Sequence, residues 1–269
     1  MTRLHTLALL LLLVTTAACA RALNYEDPAG PRFASVGRTD RTSLVRPTPT
    51  ELRVVTFNIK YGRAIDRAIE VLRAPPLRGA DVIALQEIDE EDAARVAAAL
   101  HMEYVYYPIS LHPLDDRHFG SAVLSAWPIE RDWKVLLPYR SASRRQRRGG
   151  TAVVIRAGDV RIRIYSVHLE LPLNLTPAQR TEQVARLIGD AAAAAEPVVI
   201  AGDLNGPDVA WLFEDAGYAW ATRELGPTAA IFRADHVFAR GLEPADAGLH
   251  PHVRGASDHL PAWVVLRLR

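Results

Sequence analysis

From about residue 52 to the C-terminus, apolar and polar positions fall in short blocks that switch between two periods. Runs rich in valine, isoleucine and aromatic residues at 53–58, 81–85, 121–125, 151–155, 160–167, 197–201, 235–238 and 262–268 predict β-strands. Helical spacing predicts three helices between them, at 67–72, 91–100 and 177–195. The last has the clearest start, with Thr176 as N-cap, Pro177 at the first helical position and Gln179 completing a capping box. Arg180 and Gln183 in its first turns read as a solvated face. Glu90, Glu91 and Asp92 at the head of the second helix suit the positive end of a helix dipole and read as structural. Strands alternating with helices predict an α/β domain.

Before residue 52 the pattern differs in kind. An apolar run at 7–14 follows Arg3 and His5, is too short to span a bilayer, and leads into Ala17, Ala18 and Cys19. That is the layout of a signal peptide. Small residues ahead of a cysteine resemble the lipobox of bacterial lipoproteins, whose cysteine carries the lipid, although Thr16 stands where leucine is usual. Cys19 is the only cysteine in 269 residues, so it has no intramolecular disulfide partner and fits a lipid attachment site. The alternative is a plain secretory signal cut near Ala18, leaving a secreted or periplasmic soluble protein. Both place the protein outside the cytoplasm, the first as a membrane-anchored lipoprotein of a bacterial envelope.

Residues 20–50 are punctuated by Pro28, Gly30, Pro31, Gly37, Pro47 and Pro49, which predicts a tether. Fully flexible, it would hold the domain on the order of 30 Å from the anchor. Tyr25 and Phe33 are the residues that could dock it instead. The expected organisation is a signal peptide over 1–19, a tether over 20–50 and a catalytic domain over 51–269.

Composition narrows the function classes. With 49% hydrophobic residues the chain can bury a sizeable core. A formal net charge of +1 gives no global attraction to nucleic acid, so phosphate recognition must come from local clusters. One such cluster is Arg144, Arg145, Arg147 and Arg148 ahead of Gly149. It reads as a grip on nucleic-acid backbone or anionic lipid headgroups, or equally as a solvated basic loop.

The remaining chemistry sits where the apolar runs stop. Glu87 follows a buried strand, where a carboxylate is costly unless it is exposed, hydrogen-bonded or bound to a cation. It therefore reads either as a hard oxygen ligand for Mg²⁺ or Mn²⁺ or as an ordinary acid at the surface end of a strand. In Gly202-Asp203-Leu204-Asn205 a glycine permits a tight turn that projects a carboxylate and an amide together. A capped surface turn is the plain alternative. Ser257-Asp258-His259 sets a carboxylate beside an imidazole, and the two can share a site only from a loop, because adjacent strand residues face opposite sides. His168 and His236 each read as satisfied core histidines when taken singly. Asp235 acquires a function only with a histidine partner.

Taken in order, Thr56-Phe57-Asn58, Leu85-Gln86-Glu87, Gly120-Ser121-Ala122-Val123-Leu124-Ser125, Val167-His168-Leu169, Gly202-Asp203-Leu204-Asn205, Asp235-His236-Val237-Phe238 and Ser257-Asp258-His259 resemble the endonuclease/exonuclease/phosphatase superfamily. The resemblance covers nearly everything from Leu52 onward. It implies a four-layer α/β/β/α sandwich, two packed mixed sheets with outer helices, and an active site at one edge. It also implies Glu87 as the main metal ligand, with Asn58 nearby and Asp258 in support. Asp203 would orient or deprotonate the attacking water, Asn205 would donate to a phosphate oxygen, and His259 held by Asp235 would match the family's histidine–aspartate pair. His168 matches a histidine of the deoxyribonuclease and sphingomyelinase relatives, as a second contact to the phosphate or leaving group.

The implied activity is metal-dependent hydrolysis of a phosphate ester, foremost a phosphodiester, with Mg²⁺ or Mn²⁺ as cofactor. The expected partners are a phospholipid headgroup or nucleic acid as substrate and the membrane through the lipid anchor, with no obligate protein partner. An extracytoplasmic nuclease and an inactive surface-binding lipoprotein on the same scaffold are the alternatives. Asn58 is followed by Ile59-Lys60, where abasic-site endonucleases carry an acid, which disfavours that repair subfamily.

Overall fold

The computed structural model describes residues 22–37, 47–112, 116–253 and 255–268. Two mixed sheets face each other. The first has the order β1 (Phe33–Ser35), β4 (Glu103–Leu111), β5 (His118–Ser125), β3 (Val82–Ile88), β2 (Glu51–Asn58), β13 (Ala262–Leu268) and β12 (Leu242–Leu249). The second has the order β10 (Ala219–Trp220), β11 (Asp235–Arg240), β9 (Val198–Asp203), β8 (Val160–His168), β7 (Arg147–Ala157) and β6 (Ile129–Arg140). Each sheet is built around one parallel pair, β2 with β3 and β8 with β9. A helix lies between the strands of each pair, α1 (Ile65–Leu72) in the first and α3 (Pro177–Ala192) in the second. A parallel pair needs such a crossover.

The layering follows from side-chain alternation. Along β2, Val54 joins the core between the sheets while Val55 and Phe57 join the core under α1 and α2 (Glu90–Leu100). Along β9, Val199 and Ala201 face the other sheet, whereas Val198 and Ile200 pack toward α3 and α4 (Ala210–Asp215). Residues two apart share a face, so strands buried on both sides are continuous apolar runs. Three apolar layers between four structural layers give the α/β/β/α sandwich.

The helices start and stop close to expectation. The Thr176–Gln179 capping box is formed, and α3 ends at Ala192, three residues short of the expected 195. Its first turns are not a solvated face, however. Arg180 is buried, reaching the carbonyl of Glu170, the carbonyl of Leu204 at 2.9 Å and the carboxylate of Asp208 at 2.7 Å. Gln183 is buried too, donating to the Pro138 carbonyl at 3.0 Å and accepting from the Glu170 amide at 3.1 Å. Two loops lie across that face, and their backbone groups need partners away from water.

The signal peptide and Cys19 lie outside the described residues. Of the expected tether, residues 22–37 do not hang free. Ala22 donates its amide to the Arg144 carbonyl at 2.9 Å, Tyr25 to Ile109 at 2.9 Å, and Leu111 returns a bond to Leu23 at 2.8 Å. Lys134 Nζ holds the carbonyls of Tyr25, Asp27 and Gly30, and Arg32 pairs with Asp132 at 2.6 Å. β1 then adds an antiparallel strand beside β4. The prolines and glycines that break regular structure here shape a docked segment. Docking through Tyr25 and Phe33 is what occurs, with both rings against His118. Among the described residues no helix is long and apolar enough to cross a membrane.

Candidate active site

Four strands deliver polar residues to one edge of the sandwich. Asn58 ends β2, Glu87 lies near the end of β3, His168 ends β8 and Asp203 ends β9. All four are at the C-terminal ends of the parallel pairs, where the backbone leaves the sheet and side chains are free to converge. Asp203 stands in register with His168 on one side and Asp235 on the other. Gly202 makes that register possible. Its φ is +155°, and a Cβ there would meet the Val167 carbonyl oxygen at 2.0 Å.

Asp203 is the centre of the network and is buried. Its Oδ2 accepts from Asn58 Nδ2 at 2.9 Å, and its Oδ1 accepts from the Asn205 amide at 2.8 Å. Asn205 takes the left-handed conformation, φ +57°, and donates Nδ2 to the Leu169 carbonyl at 2.9 Å. One amide hydrogen of Asn205 therefore remains for another acceptor. Burial, followed by the neighbouring Asp235 charge, pushes Asp203 up to about 7, although His259 and Asn58 pull the other way.

Two histidines flank Asp203 and differ in charge. His168 Nε2 lies 3.4 Å from Asp203 Oδ2, and His168 Nδ1 lies 3.2 Å from Arg148 Nη1. A guanidinium only donates, so Nδ1 accepts and Nε2 carries the hydrogen of a neutral ring. Burial and then the charges of Arg148 and His259 hold His168 well below the usual histidine range. On the other flank His259 Nδ1 hydrogen-bonds Asp235 Oδ2 at 2.8 Å, while Nε2 is 3.9 Å from Asp203 Oδ2. Burial opposes charge there as well. The Asp235 bond and the charges of Asp235, Asp203 and Asp258 outweigh it, raising His259 to about 9. His236 is a core residue held by Trp220 Nε1 at 3.2 Å and the Arg233 carbonyl at 2.9 Å.

Glu87 sits at a bulge in β3 with φ +54°. Bulges of this kind re-aim a side chain beside a site. Burial raises its carboxyl, Asp258 raises it further, and Arg148, Asn58 and His259 oppose the rise. Two carboxylates thus repel across a half-buried space, and hard oxygen donors so arranged fit a divalent cation of the Mg²⁺ class. Asp258 is the more exposed of the two and pairs with Lys60 Nζ at 2.8 Å. Asn58 links the two acids, since its Nδ2 donates to Asp203 at 2.9 Å and its side chain also hydrogen-bonds Glu87, while its Oδ1 accepts from the Lys60 amide at 3.0 Å. Asp203, Asp235 and His259 also offer ligand atoms within 4.8 Å of one another. The His259–Asp235 hydrogen bond and the charge on His259 make that trio a proton-holding group instead.

The basic run divides. Arg148 turns inward, bonding His168 and lying 3.3 Å from Glu170 Oε2, with its guanidinium 5.0 Å above the Phe119 ring. Arg147 turns away to the Leu137 carbonyl and Glu26. Arg145 is exposed at the turn, and the charge of Arg144 reaches Tyr61. Glu170 escaped notice in the sequence, yet it is buried and accepts from Arg148, Asn174 and the Leu171 amide. Its position two residues past His168 is the signal that was available. Tyr61 was missed as well, and it lines a small cavity with Glu87, His112 and Phe119.

The structure is similar to several solved ones. An endonuclease/exonuclease/phosphatase from Beutenbergia cavernae DSM 12333 matches with a TM-score of 0.69 and 22% identity, over 82% of this chain and 72% of that one. The catalytic domain of human Nocturnin, solved with a bound sulfate anion, matches at 0.65 and 15%, over 83% and 97%. TDP2 from D. rerio, complexed with single strand DNA product, matches at 0.64 and 17%, over 81% and 100%. No curated protein matches by sequence. Identities this low speak for the fold alone, but the profile of the Endonuclease/Exonuclease/phosphatase family matches residues 55–259. That span includes Asn58, Glu87, His168, Asp203, Asp235 and His259, and the chain belongs to this family of phosphoesterase hydrolases.

Proposed function

We propose that this protein hydrolyses a phosphodiester with the help of Mg²⁺ or Mn²⁺, by in-line attack of a water activated at Asp203. The observation that carries the reading is the unequal pair of histidines held against Asp203, His168 backed by the Arg148 guanidinium and His259 by the Asp235 carboxylate. Phosphoryl transfer gathers negative charge on the non-bridging and leaving oxygens while the nucleophile arrives opposite the leaving group. A carboxylate raised toward neutrality suits proton abstraction from water, and Asp203 is such a group.

Asn58 and the Asn205 amide hold the two oxygens of Asp203, so its orientation is set before substrate arrives. The spare amide hydrogen of Asn205 and the Nε2 hydrogen of His168 are donors to phosphate oxygens. His259 brings positive charge, with Asp235 keeping the ring oriented. Glu87, with Asp258 in support, would hold the metal, which when bound polarises the phosphate and stabilises its developing charge. A signal peptide over 1–19 with a lipid on Cys19 would put this chemistry on the outer side of a bacterial membrane.

The test is hydrolysis of bis(p-nitrophenyl) phosphate by the purified protein with Mg²⁺ or Mn²⁺. EDTA and Asp203→Ala should each abolish it. Full activity surviving both removes the mechanism, and no activity under any metal leaves the inactive surface-binding lipoprotein as the reading.

A further inference from the structure

The docked N-terminal segment ends at the catalytic edge. Ala22 bonds the Arg144 carbonyl, Asn24 Nδ2 the Arg145 carbonyl at 2.9 Å, and Asn24 Oδ1 accepts from the Arg147 amide at 2.7 Å. These residues form the turn between β6 and β7, and Gly149 just beyond it pairs with His168. Ala22, the first described residue, therefore lies beside the active site. Cys19 is only three residues before Ala22, a span of about 10 Å at full extension.

The same edge carries exposed apolar side chains. Leu171 and Leu173 lie on the loop after His168, with Leu173 97% exposed. Ile231, 80% exposed, and Phe232, 62% exposed, form the turn before Asp235. That turn is fastened to the site, since Leu260 donates to the Thr228 carbonyl and Ala229 bridges His259. Leu23, next to Ala22, is 58% exposed. Arg63 and Arg144 bring positive charge to the mouth at Tyr61, and Arg145 is exposed on the β6–β7 turn. Apolar groups gathered at an edge among cations mark an interaction surface. Four of the five are aliphatic, which suits acyl chains, whereas single-stranded nucleic acid is gripped by aromatic stacking.

We propose that this edge docks on an anionic phospholipid bilayer, with residues 22–37 as a strut from the Cys19 anchor, Arg144 and Arg145 on headgroup phosphates, and the tips at Leu171, Leu173, Ile231 and Phe232 in the interface. The phosphodiester cut is then that of a lipid headgroup, a statement that rests on the phosphodiesterase reading above. The strut sets orientation as well as proximity. It is pinned along its length by Lys134, Arg140 and Arg147, and β1 locks its far end into the sheet.

The experiment uses the full lipidated protein in vesicles of phosphatidylcholine and phosphatidylglycerol. Mass spectrometry first reads the acyl group on Cys19, and an unacylated Cys19 overturns the strut. With Cys19 blocked, Ile231→Cys or Leu173→Cys takes an environment-sensitive dye. Asp159→Cys, at the opposite β7–β8 turn, is the control. Brominated lipid should quench the dye at 231 and 173 and spare it at 159, and equal quenching at all three overturns the docking.

In a second arm, about twenty Gly/Ser residues inserted between Arg21 and Ala22 should lower hydrolysis of vesicle lipid roughly tenfold, with bis(p-nitrophenyl) phosphate hydrolysis unchanged. Unchanged vesicle hydrolysis overturns the strut. If the unaltered protein is inactive on bis(p-nitrophenyl) phosphate, the catalytic reading fails while the dye still tests the docking. An oligonucleotide cut faster than any vesicle lipid overturns the lipid substrate in favour of a nuclease.

Discussion

His168 and His259 stand on either side of one carboxylate, both are largely buried, and they differ in charge, one ring neutral and the other a cation. The difference lies in their second partners. Burial keeps the His168 ring neutral, and the Arg148 guanidinium behind it adds to that and leaves the ring hydrogen toward Asp203. His259 has the Asp235 carboxylate behind it, which makes the ring a cation. The lesson is that burial favours the neutral ring in both, and a carboxylate neighbour reverses it in one. One site thus holds a neutral donor and a charged one against the same carboxylate, which suits the proposed reaction because it spreads charge over several phosphate oxygens.

The comparison breaks most completely at its shared centre. Asp203→Ala should lower metal-dependent hydrolysis of bis(p-nitrophenyl) phosphate by about 10⁴-fold, measured as kcat, with the fold intact by circular dichroism. Removing the partner on the charged side comes next. Asp235→Asn should cost roughly 10²- to 10³-fold in kcat and bring His259 down from about 9 in an NMR titration of the metal-free protein. His168 should stay neutral in that variant. If His259 keeps its high value, Asp235 is not what charges it.

On the neutral side, Arg148→Lys keeps the positive charge and loses the planar donor. It should reduce kcat by about tenfold, in the range seen for groups that orient a functional histidine. Nitrogen chemical shifts should report a mixture of His168 tautomers. A single unchanged tautomer would show that Arg148 does not select it. The smallest effect is on stability. The folded value of His259, about 9, lies above the unfolded value near 6.5. Its contribution should be fully present below pH 6.5 and lost as pH rises through 9, because between those values the folded state binds more protons. Urea midpoints of the metal-free protein should therefore fall across pH 6.5–9, and Asp235→Asn should flatten that slope.

Much of the fold was legible where burial is two-sided. β2, β8 and β9 carry buried apolar residues on both faces over most of their length, and all three were anticipated within a few residues. The three long strands that escaped carry irregularities, while β1 and β10 are only three and two residues long. β4 has Pro108 at a register shift, β6 has Pro138 within one, and β12 is an edge strand with Pro244 beside its bulge. Proline is confined to such bulges and edges, so it hides a strand from pattern reading without preventing it. Arg180 and Arg148 were invisible as buried groups for another reason. Helical or loop spacing says which residues share a face and nothing about what covers that face. Whether residues 22–37 hang free or dock was open for the same reason, since Pro and Gly forbid regular structure but permit docking.

By itself the sequence determined the inventory: which acids, amides and imidazoles stand at the ends of which apolar runs, and the family order in which they occur. Only the tertiary structure decided their chemical states. Asn58 meets Asp203 across 145 residues, Asp235 meets His259 across 24, and Arg148 meets His168 across 20. Charge and hydrogen bonding depend on distance and on exclusion of water, neither of which is written in sequence separation. Two histidines identical in sequence therefore acquired opposite roles only when the sheets packed.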